Sequence, residues 1–492
     1  MNNKLLLTLS LATLVFNGRL FGQSAGSTTA EHIDLRIKRV LNGLLPETGF
    51  LDRYGPNAAL EQRMAFYHTP GVSIAVVNNN KVEWARGFGV KECGKRAPVT
   101  ETTLFQAGSI SKPIFALAVM RLVQEGRLSL DEDVNRYLTS WKLPPNGAWQ
   151  PRVTLRQLLS HSGGLTVHGF PGYLRSEKRP TVVEILEGRP PSNTPRIEVN
   201  ILPGTQLRYS GGGTTIAQQL VVDVLGQPFP KTMHDLVLDP LGLTHSTYEQ
   251  PLPKRREGLA ATAHPWKNQP VAGKWHVYPE MAAAGLWTTP SDLAKAGVEL
   301  QLAVKGESAR LLSAETVAQM FKPGIDEAIG IGFFLSGKER SVRFSHGGWD
   351  EGFVAQMTMY KHLGLGAVIM LNSNEGAPLL NEIERAIARE YEWPDYFPKE
   401  RTTVDVPADR LQAFVGEYAG KSGFKCAVTS ANGKLLLAAA EQPPVELNAA
   451  SETNFFMTIL NGDITFDRTA KGEVIGLTLQ QGGNQISAKK NP

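Results

Sequence analysis

The alternation of apolar and polar positions divides the chain into distinct stretches. Residues 32–45 carry apolar side chains at helical spacing, and residues 71–90 follow as two strand-like runs around an Asn-rich turn. Over about residues 106–280 the pattern changes to helices joined by long Pro/Gly-rich connections. Strand patterns resume over residues 330–374, and residues 379–393 then have amphipathic helical spacing. This order predicts an α/β unit with a mostly helical insert.

The pattern changes again beyond Pro398. Short strand-like runs alternate there with Asn-Gly, Lys-Gly and Gly-Gly turns, which is typical of an all-β domain. The segment holds roughly ninety residues, within the ordinary size range of domains. We therefore predict three parts: a signal peptide over residues 1–25, a main domain over 26–398 and a small all-β domain over 399–492.

The N-terminus has the pattern of a secretory signal. Lys4 precedes a twelve-residue apolar run from Leu5 to Phe16, and small and polar residues follow. Twelve apolar residues are too few to span a bilayer as a helix, and no later segment is long and apolar enough to do so. The sequence therefore predicts an exported protein, periplasmic or secreted, with no membrane span in the mature chain.

Composition narrows the possible partners. The chain has 492 residues, of which 42% are hydrophobic and 20% charged, and its formal charge of +4 is spread along the sequence. Nucleic-acid binding is disfavoured because no Lys/Arg cluster supplies an electrostatic footprint.

Cys93 and Cys426 are far apart in the sequence. A disulfide between them is allowed in an oxidising compartment, but two free buried thiols are expected. No H-E-x-x-H zinc signature, P-loop or dinucleotide-binding glycine pattern occurs, so neither a metal nor a cofactor is indicated.

Ser109 begins the stretch with the strongest chemical pattern. Gly108 and Ser109 precede a long apolar helical run that stops at Gly126. Helical spacing places residue i+3 beside residue i, so Lys112 is predicted to project beside Ser109 with its amine near the hydroxyl. A serine hydroxyl needs a base near neutral pH, and a partly buried lysine can supply one. The helix N-terminus adds N–H groups and a positive field for a developing oxyanion.

A bare Ser-x-x-Lys pattern has a simpler interpretation, a helix-capping serine followed by a solvated lysine. Ser487 and Lys490 also match it near the C-terminus. The neighbours of Ser109 are more specific, because AGSISKPIFALAVMRLVQEGRLSLDEDVNRYL resembles the nucleophile helix of the serine β-lactamase and penicillin-binding-protein superfamily, in its class C branch. The resemblance implies that Ser109 is acylated. It also implies an α/β, β-lactamase/transpeptidase-like fold, an antiparallel sheet flanked by helices plus a helical subdomain, followed here by the small all-β domain.

The resemblance gives Tyr209 a catalytic role. Tyr209 stands before a Gly-rich bend and an apolar helix in LRYSGGGTTIAQQL, where the family has a tyrosine whose phenol shares the nucleophile's proton. The alternative is a packed aromatic with a satisfied hydroxyl. The family motif Tyr-x-Asn ends here in Gly211, which we place among the substrate-binding positions. That Asn helps hold the substrate amide in the family, so its absence leaves esters and other acyl donors open beside β-lactams.

A later strand pattern resembles another part of the family's site. His346, Gly347 and Gly348 resemble the His-x-Gly variant of the Lys-Thr-Gly strand, where glycines let a substrate backbone approach. His346 is expected to hydrogen-bond Tyr209 or the substrate and to change its charge near neutral pH. By family analogy, the backbone N–H of Trp349 joins that of the nucleophile in an oxyanion hole.

Two more stretches, VTLRQLLSHSGGL and MAAAGLWTTPSDLAKAG, resemble structural signatures around the active-site floor. We interpret His161, Ser162 and Asp292 within them as packing or capping residues. Together the resemblances span about residues 30–395. The tail resembles small β-barrel-like domains appended to some family members.

The sequence thus predicts a class C β-lactamase-related serine hydrolase that forms an acyl-enzyme on an amide, β-lactam or ester carbonyl. Its substrates are small molecules or peptides, with β-lactams, esters and D-residue peptides all open, and its base is Lys112 or Tyr209. The alternative is a non-catalytic peptidoglycan- or acyl-ligand-binding protein that retains the pocket. An ordinary α/β-hydrolase is excluded, because the G-x-S-x-G pattern occurs only at residues 22–26, at the border of the predicted signal peptide. The sequence does not indicate an oligomeric state.

Overall fold

The structure is a computed structural model that describes most of the chain. The described residues are 29–45, 48–50, 59–396, 399–420, 423–439, 444–457, 462–481 and 484–491. The predicted signal peptide over residues 1–25 lies outside them. None of the helices in the described ranges combines the length and the hydropathy needed to cross a membrane.

The helices of the described residues are mostly short, and five of them have thirteen to sixteen residues: α1, α3, α7, α11 and α13. They are α1 (Thr29–Leu41), α2 (Leu60–Phe66), α3 (Ser111–Gln124), α4 (Val134–Tyr137), α5 (Leu155–Leu159), α6 (Val182–Glu187), α7 (Gly211–Leu225), α8 (Phe229–Met233), α9 (Lys254–Glu257), α10 (Met281–Ala284), α11 (Pro290–Lys305), α12 (Ala314–Met320), α13 (Ala377–Glu390) and α14 (Ala408–Gln412). Single 3₁₀ turns cover Gly108–Ile110 and Glu339–Ser341, and a π-helical turn covers His234–Leu238.

The strands form one central sheet, one barrel and two small pairs. They are β1 (Thr48–Phe50), β2 (Gly71–Asn78), β3 (Lys81–Gly89), β4 (Phe105–Gln106), β5 (Trp287–Thr288), β6 (Phe334–Ser336), β7 (Arg343–Asp350), β8 (Phe353–Tyr360), β9 (Gly366–Leu371), β10 (Lys399–Arg401), β11 (Gly416–Gly420), β12 (Lys425–Ala431), β13 (Lys434–Ala439), β14 (Val445–Ala449), β15 (Asn454–Met457), β16 (Gly462–Arg468), β17 (Val474–Gln481) and β18 (Asn484–Lys490).

The central sheet is antiparallel, with strand order β3-β2-β9-β8-β7-β6. Both of its faces are covered, since alternate residues of β2 point into two different cores. Ile74 and Val76 pack with residues of α1 and α13, whereas Ala75 and Val77 pack with the larger core that includes α3 and α11. The predicted fold class, an antiparallel sheet flanked by helices, is confirmed.

Helices α3 to α10 lie between β4 and β5, which pair with each other through Phe105 with Thr288 and Gln106 with Trp287. The chain therefore leaves the sheet region after β4 and returns to it at β5. Helix α3 is buried over Ser111–Met120, because it runs through the large core instead of lying on its surface. A helix that is apolar all round is stabilised by this kind of burial.

Strands β11 to β18 close into a barrel that forms a separate all-β domain over about residues 416–490. Its core is its own, built around Phe414, Phe455 and Phe466. The predicted Asn-Gly turn joins β12 to β13, and Asn432 and Gly433 both have positive φ, as the tight hairpin turn requires. The sequence pattern did not reveal β14, whose Val445–Ala449 run has one buried position among half-buried ones.

The two cysteines are free, as expected, but only one is buried. Cys426 lies in the barrel core, whereas Cys93 is exposed. Cys93 follows β3 in a turn that is tied down through its backbone, since its N–H donates to His264 Nε2 at 3.2 Å. The expectation of a buried thiol at Cys93 was therefore wrong, because the turn holds the backbone in place and leaves the side chain outside.

Candidate active site

Ser109 and Lys112 lie together at the start of α3. Ser109 occupies the 3₁₀ turn Gly108–Ile110, and the helix proper begins two residues later. The Nζ atom of Lys112 donates to Ser109 Oγ at 2.9 Å and to the carbonyl oxygen of Ala283 at 2.8 Å. The lysine is 4% exposed. The spacing argument from the sequence thus correctly places the amine at the hydroxyl, and Ala283 in the turn at α10 fixes its direction.

Strand β7 packs directly on the turn that carries Ser109. Gly108 has a φ of +51°, and a Cβ atom there would lie 2.4 Å from Trp349 N. A Cβ atom on Gly348 would lie 1.9 Å from the carbonyl oxygen of Ala107. Both positions therefore require glycine, because side chains would hold the strand away from the nucleophile. This contact brings the Trp349 backbone to the side of Ser109, as the family resemblance implies.

Tyr209 is held over the lysine by a stack of rings. Its ring centroid lies 4.2 Å from that of His161 and 4.8 Å from that of His168, and Phe334 stacks on it at 6.2 Å with an interplanar angle of 10°. The Nζ atom of Lys112 lies 5.0 Å from the Tyr209 ring centroid. Nucleophile, amine and phenol ring therefore come from two distant stretches of chain and meet in one place.

The position of Tyr209 follows from the way α7 begins. Ser210 caps the helix, since its Oγ accepts from the N–H of Gly213 at 3.0 Å and its own N–H donates to His161 Nδ1 at 3.2 Å. A serine cap satisfies one of the free N–H groups in the first turn. The cap residue itself has an extended backbone, and Tyr209 directly before it lines the cleft.

An open cleft of about 530 Å³ joins these groups. The walls of the cleft include all the predicted site residues except two. Lys112 lies behind the nucleophile, and Gly211 is not part of the lining. The lining residues that matter here are Ser109, His168, Tyr209, Phe334, His346, Gly347, Gly348 and Trp349. A larger cavity of about 1280 Å³ lies on the barrel, beside Phe424 and Ile486, but in the described part of the chain no hydrogen bond joins a nucleophile to a base in its lining. We therefore place the chemistry at the smaller cleft.

His346 and His161 are neutral near neutral pH. Burial, with a smaller contribution from the Lys112 charge, lowers the pKa of His346 to about 3. Burial lowers the pKa of His161 well below its usual value, and the charges of Lys112 and His346 add to the effect. His346 Nδ1 lies 2.6 Å from the carbonyl oxygen of Gly347, and its ring centroid is 6.1 Å from that of Tyr209. The expected change of charge of His346 near neutral pH is thus not supported.

Gly211 shows why the family's Asn is absent. A Cβ atom at this position would lie 3.0 Å from the Phe170 ring and 3.1 Å from the carbonyl oxygen of His168. The Gly211 N–H donates to that same oxygen at 2.9 Å. The loop before α7 therefore closes on the third position of the Tyr-x-Gly motif, and His168 occupies the cleft wall next to Tyr209. Gly211 shapes the site through its small size and does not line the cleft.

Other residues of the site carried no clear signal in the sequence. His161, interpreted as a packing residue, does bond to the backbone of Ser210, but it also forms one face of the Tyr209 stack. Asp292 fits its predicted role, since it accepts from His245 N and Ser246 Oγ. Glu280 and Asp350 are both buried, Asp350 close enough to Lys112 to feel its charge, and no motif pointed to either of them. They are polar residues in otherwise apolar surroundings, and only the fold shows that.

A serine hydroxyl, an amine and a phenol ring thus meet at one cleft of this fold. The chain belongs to the Beta-lactamase family, whose model matches residues 57–392. The family supports serine acyl-transfer or hydrolase activity in general.

Individual relatives cover different shares of the chain. Protein flp of Staphylococcus aureus (strain N315) is 29% identical over 191 residues, which are 37% of this chain and only 36% of that protein. The octameric penicillin-binding protein homologue from Pyrococcus abyssi has a TM-score of 0.58 at 21% identity, covering 87% of this chain and 98% of that one. D-amino acid amidase from Ochrobactrum anthropi SV3 has a TM-score of 0.55 at 21% identity, covering 73% and 99%. At these identities the two structures show the fold alone.

Proposed function

We propose that this protein is an exported, class C β-lactamase-related serine hydrolase that forms an acyl-enzyme on an amide, β-lactam or ester carbonyl. The contact that carries the proposal is the 2.9 Å hydrogen bond between Lys112 Nζ and Ser109 Oγ, made beside the ring of Tyr209. A hydroxyl held against an amine inside a cleft is the arrangement that nucleophilic catalysis requires.

The proposed reaction has two halves. Ser109 Oγ attacks the carbonyl carbon while its proton passes to Lys112, and the tetrahedral oxyanion faces the backbone N–H groups of Ser109 and Trp349. Collapse expels the leaving group, which takes a proton from the Lys112–Tyr209 pair. Water then attacks the acyl-enzyme and gives a proton to the same two side chains, which pass it to Ser109 Oγ as the bond from the acyl carbon to that oxygen breaks and the acid is released. We assign the base to Lys112 because its nitrogen is the one in contact with the hydroxyl.

The cleft favours esters and unhindered amides over bulky lactams. The family's amide-binding Asn is replaced by Gly211, and the Phe170 ring and the His168 backbone fill the space beside it. Binding of a substrate amide at that point therefore has no side-chain donor from α7. The likeness in fold to a D-amino acid amidase keeps D-residue amides among the candidates.

The first test is covalent capture of Ser109. A fluorophosphonate or a penicillin is expected to label the full-length protein once, on the peptide that contains Ser109, and Ser109→Ala is expected to abolish both labelling and turnover. Folded protein that stays unlabelled at Ser109 would instead indicate a non-catalytic acyl-ligand-binding protein. Parallel rates with nitrocefin, p-nitrophenyl butyrate and a D-alanyl p-nitroanilide then rank the substrates, and preference for nitrocefin would contradict the role given to Gly211.

A further inference from the structure

The cleft that holds Ser109 continues onto the other face of the central sheet. Alternate residues of a strand share a face, and the face of β7 that carries His346 and Gly348 packs against the nucleophile turn. The side chain of Trp349 therefore stands on the opposite face, which α13 covers. Val354, the partner of Trp349 on β8, belongs to the core that α13 forms with this face. Both residues line the same cavity as Ser109.

Gly347 leaves the way open between the two parts of the cleft. It is exposed, and no described strand pairs with the outer edge of β7 beyond Ser345. A Cβ atom on Gly347 would meet only the Oε1 atom of Gln356 at 3.3 Å and the backbone oxygen of Ala355 at 3.9 Å. A substrate group can therefore cross the strand at this glycine.

The part of the cleft on the α13 face, which we call the α13 subsite, has an apolar floor. Val354 and Leu380 are 1% and 7% exposed and pack in one core, whereas Trp349 stands beside them 56% exposed. An exposed aromatic next to an apolar floor, with a few polar groups at the rim, is typical of small-molecule sites. Among the described residues, the subsite combines four apolar side chains and two amides: Trp349, Val354, Ala377, Leu380, Gln356 and Asn381.

The subsite is suited to an uncharged group. In the first turn of α13, Pro378 has no N–H, and the N–H groups of Ala377, Leu379 and Leu380 donate to backbone oxygens at 3.3, 2.9 and 3.4 Å. The amine of Lys112 is bonded on the other side of β7, to the nucleophile and to a backbone oxygen. A carboxylate at the floor of the subsite would therefore lose water and gain only apolar neighbours.

We propose that the α13 subsite binds an uncharged apolar group of the substrate, belonging to its acyl part or to its alcohol or amine part, which reaches the subsite over Gly347. That the bound molecule is a substrate rests on the proposed function. Contact with Trp349, Val354 and Leu380 removes apolar area from water and so contributes to binding. Substrates whose chain ends in a carboxylate are disfavoured, because the charge would leave water for an apolar site.

The chain-length dependence of ester hydrolysis by the full-length protein tests the subsite. One series holds p-nitrophenyl esters of straight acyl chains from acetate to octanoate, and the other holds acetate esters of straight alcohols from ethanol to octanol. We expect kcat/KM to rise by roughly 2- to 4-fold per added methylene over the first part of one series, as burial of each CH₂ group predicts. The series that rises identifies which part of the substrate occupies the subsite. No rise in either series overturns the proposal.

Trp349→Ala removes one wall of the subsite and retains the backbone N–H at that position. We expect the rise per methylene to become much shallower in this variant, because each added carbon then stays in contact with water. Trp266→Ala is the matched control, since Trp266 is 60% exposed and does not line the cleft, and its chain-length dependence should equal that of the wild type. Circular dichroism shows whether both variants are folded. A rise as steep in Trp349→Ala as in Trp266→Ala overturns the proposal.

A terminal carboxylate tests the preference for an uncharged group. In the series that rises, a chain is compared with one of equal length that ends in a carboxylate, such as p-nitrophenyl valerate with the p-nitrophenyl monoester of glutaric acid. We expect the anionic ester to have a kcat/KM lower by on the order of 10- to 100-fold in the wild type and in Asn381→Gln. This gap should narrow in Asn381→Lys, which adds an ammonium group at an exposed position of the subsite. Equal rates for the two esters in the wild type, or the same gap in both variants, overturn the proposal.

Binding of uncleaved esters separates failure of the subsite from failure of the proposed function. Titration calorimetry with folded Ser109→Ala measures affinity without turnover. We expect the affinity to rise with chain length and to lose this dependence when Trp349→Ala is added. If a fluorophosphonate never labels Ser109 and no ester is hydrolysed, but the affinity still rises, the proposed function fails and the subsite stands. A labelled Ser109 in a protein whose rates and affinities do not depend on chain length rejects the subsite alone.

Discussion

Lys112 does its work through two hydrogen bonds that hold one nitrogen in one place. The bond to Ala283 aims the amine and the bond to Ser109 places it on the nucleophile, while Tyr209 covers it from the cleft side. In the proposed mechanism these three groups exchange one proton and act as a unit, so removing one of them is expected to remove most of the function of the others.

We therefore expect Lys112→Ala and Tyr209→Phe each to lower kcat by on the order of 10² to 10⁴-fold, the range of a lost acid-base group. The double variant is expected to be hardly worse than the poorer single variant. Steady-state kinetics on all three proteins measures this, with circular dichroism to show that they are folded. Either single variant with near wild-type kcat would remove that residue from the mechanism, and strictly multiplicative effects would show that the two act separately.

The close packing around Gly211 predicts that a larger side chain does not fit at this position. In Gly211→Asn the new side chain meets the Phe170 ring and the His168 carbonyl oxygen, so we expect a loss of about 1–3 kcal/mol in the free energy of unfolding and no gain of β-lactam turnover. Gly226→Asn, at the other end of α7, is the control. It has positive φ and open space around it, and Asn tolerates that conformation. A Gly211→Asn protein as stable as the wild type that hydrolyses nitrocefin would show that the loop yields easily.

At the scale of elements, the contact between β7 and the nucleophile turn sets the width of the cleft. In Gly348→Ala the added methyl would meet the Ala107 carbonyl oxygen, so the strand must shift and carry the Trp349 N–H away from the oxyanion. We expect kcat/KM to fall by on the order of 10² to 10³-fold, as for loss of one oxyanion donor. Gly347→Ala is the matched neighbour, because its methyl would meet only the flexible Gln356 side chain at 3.3 Å and a more distant backbone oxygen, and its loss should be clearly smaller. Equal losses in the two variants would contradict this geometry.

Secondary structure also explains which motif could be predicted from sequence. Ser109-x-x-Lys112 precedes a long helical pattern, and a helical turn brings residues i and i+3 together. The same spacing at Ser487 and Lys490 lies in β18, where residues three apart point to opposite faces, and there Lys490 Nζ donates to the Ala413 carbonyl oxygen instead. The Ser-x-x-Lys pattern is therefore informative only when the secondary structure that carries it is known. For Ser109 and Lys112, the apolar periodicity of the following residues predicts a helix.

Other parts of the site could not be predicted in the same way. The stack on Tyr209 brings together residues 161, 168 and 334, and nothing in local spacing relates them. Glu280 follows a Pro and precedes a run of alanines, so the sequence shows a polar residue at a helix start, which is ordinarily solvated. Only the packing of α10 against α3 and α7 buries it. Burial is a property of the whole fold, and the charge state of a group follows from burial.

At the scale of the whole molecule, the catalytic unit and the C-terminal domain have separate hydrophobic cores. The barrel core shares no residue with the two cores on either side of the central sheet. The chain passes from one unit to the other near β10, where Arg401 pairs with Asp463 of the barrel. The buried histidines and acids set the pH response of the catalytic unit. All of them lie on the sheet side of this link.

These buried groups predict a stability maximum on the acid side of neutrality, between about pH 4.5 and 6.5. The pKa of His346 is about 3 in the folded protein and near 6.5 when unfolded, so the unfolded chain binds more protons between these values and stability is lost as the pH falls. Glu280 acts in the opposite direction. Its pKa is about 8 in the folded protein and near 4.5 when unfolded, so the folded chain binds more protons between these values and stability is lost as the pH rises, by about 3 kcal/mol at pH 7.

Glu280→Gln separates the two effects, because a glutamine resembles the protonated acid at every pH. We expect this variant to differ little from the wild type in denaturant midpoint at about pH 5 and to be clearly more stable at about pH 8. At about pH 8 the wild-type carboxyl group must either keep a proton that a free carboxyl group would have lost or ionise in an apolar site, and both cost stability. Glu299→Gln should do the reverse and lose stability at about pH 8, since it removes a carboxylate that accepts hydrogen bonds. A Glu280→Gln protein less stable than the wild type at about pH 8 would mean that Glu280 is ionised and paired in the fold, for which the structure offers no partner among the described residues.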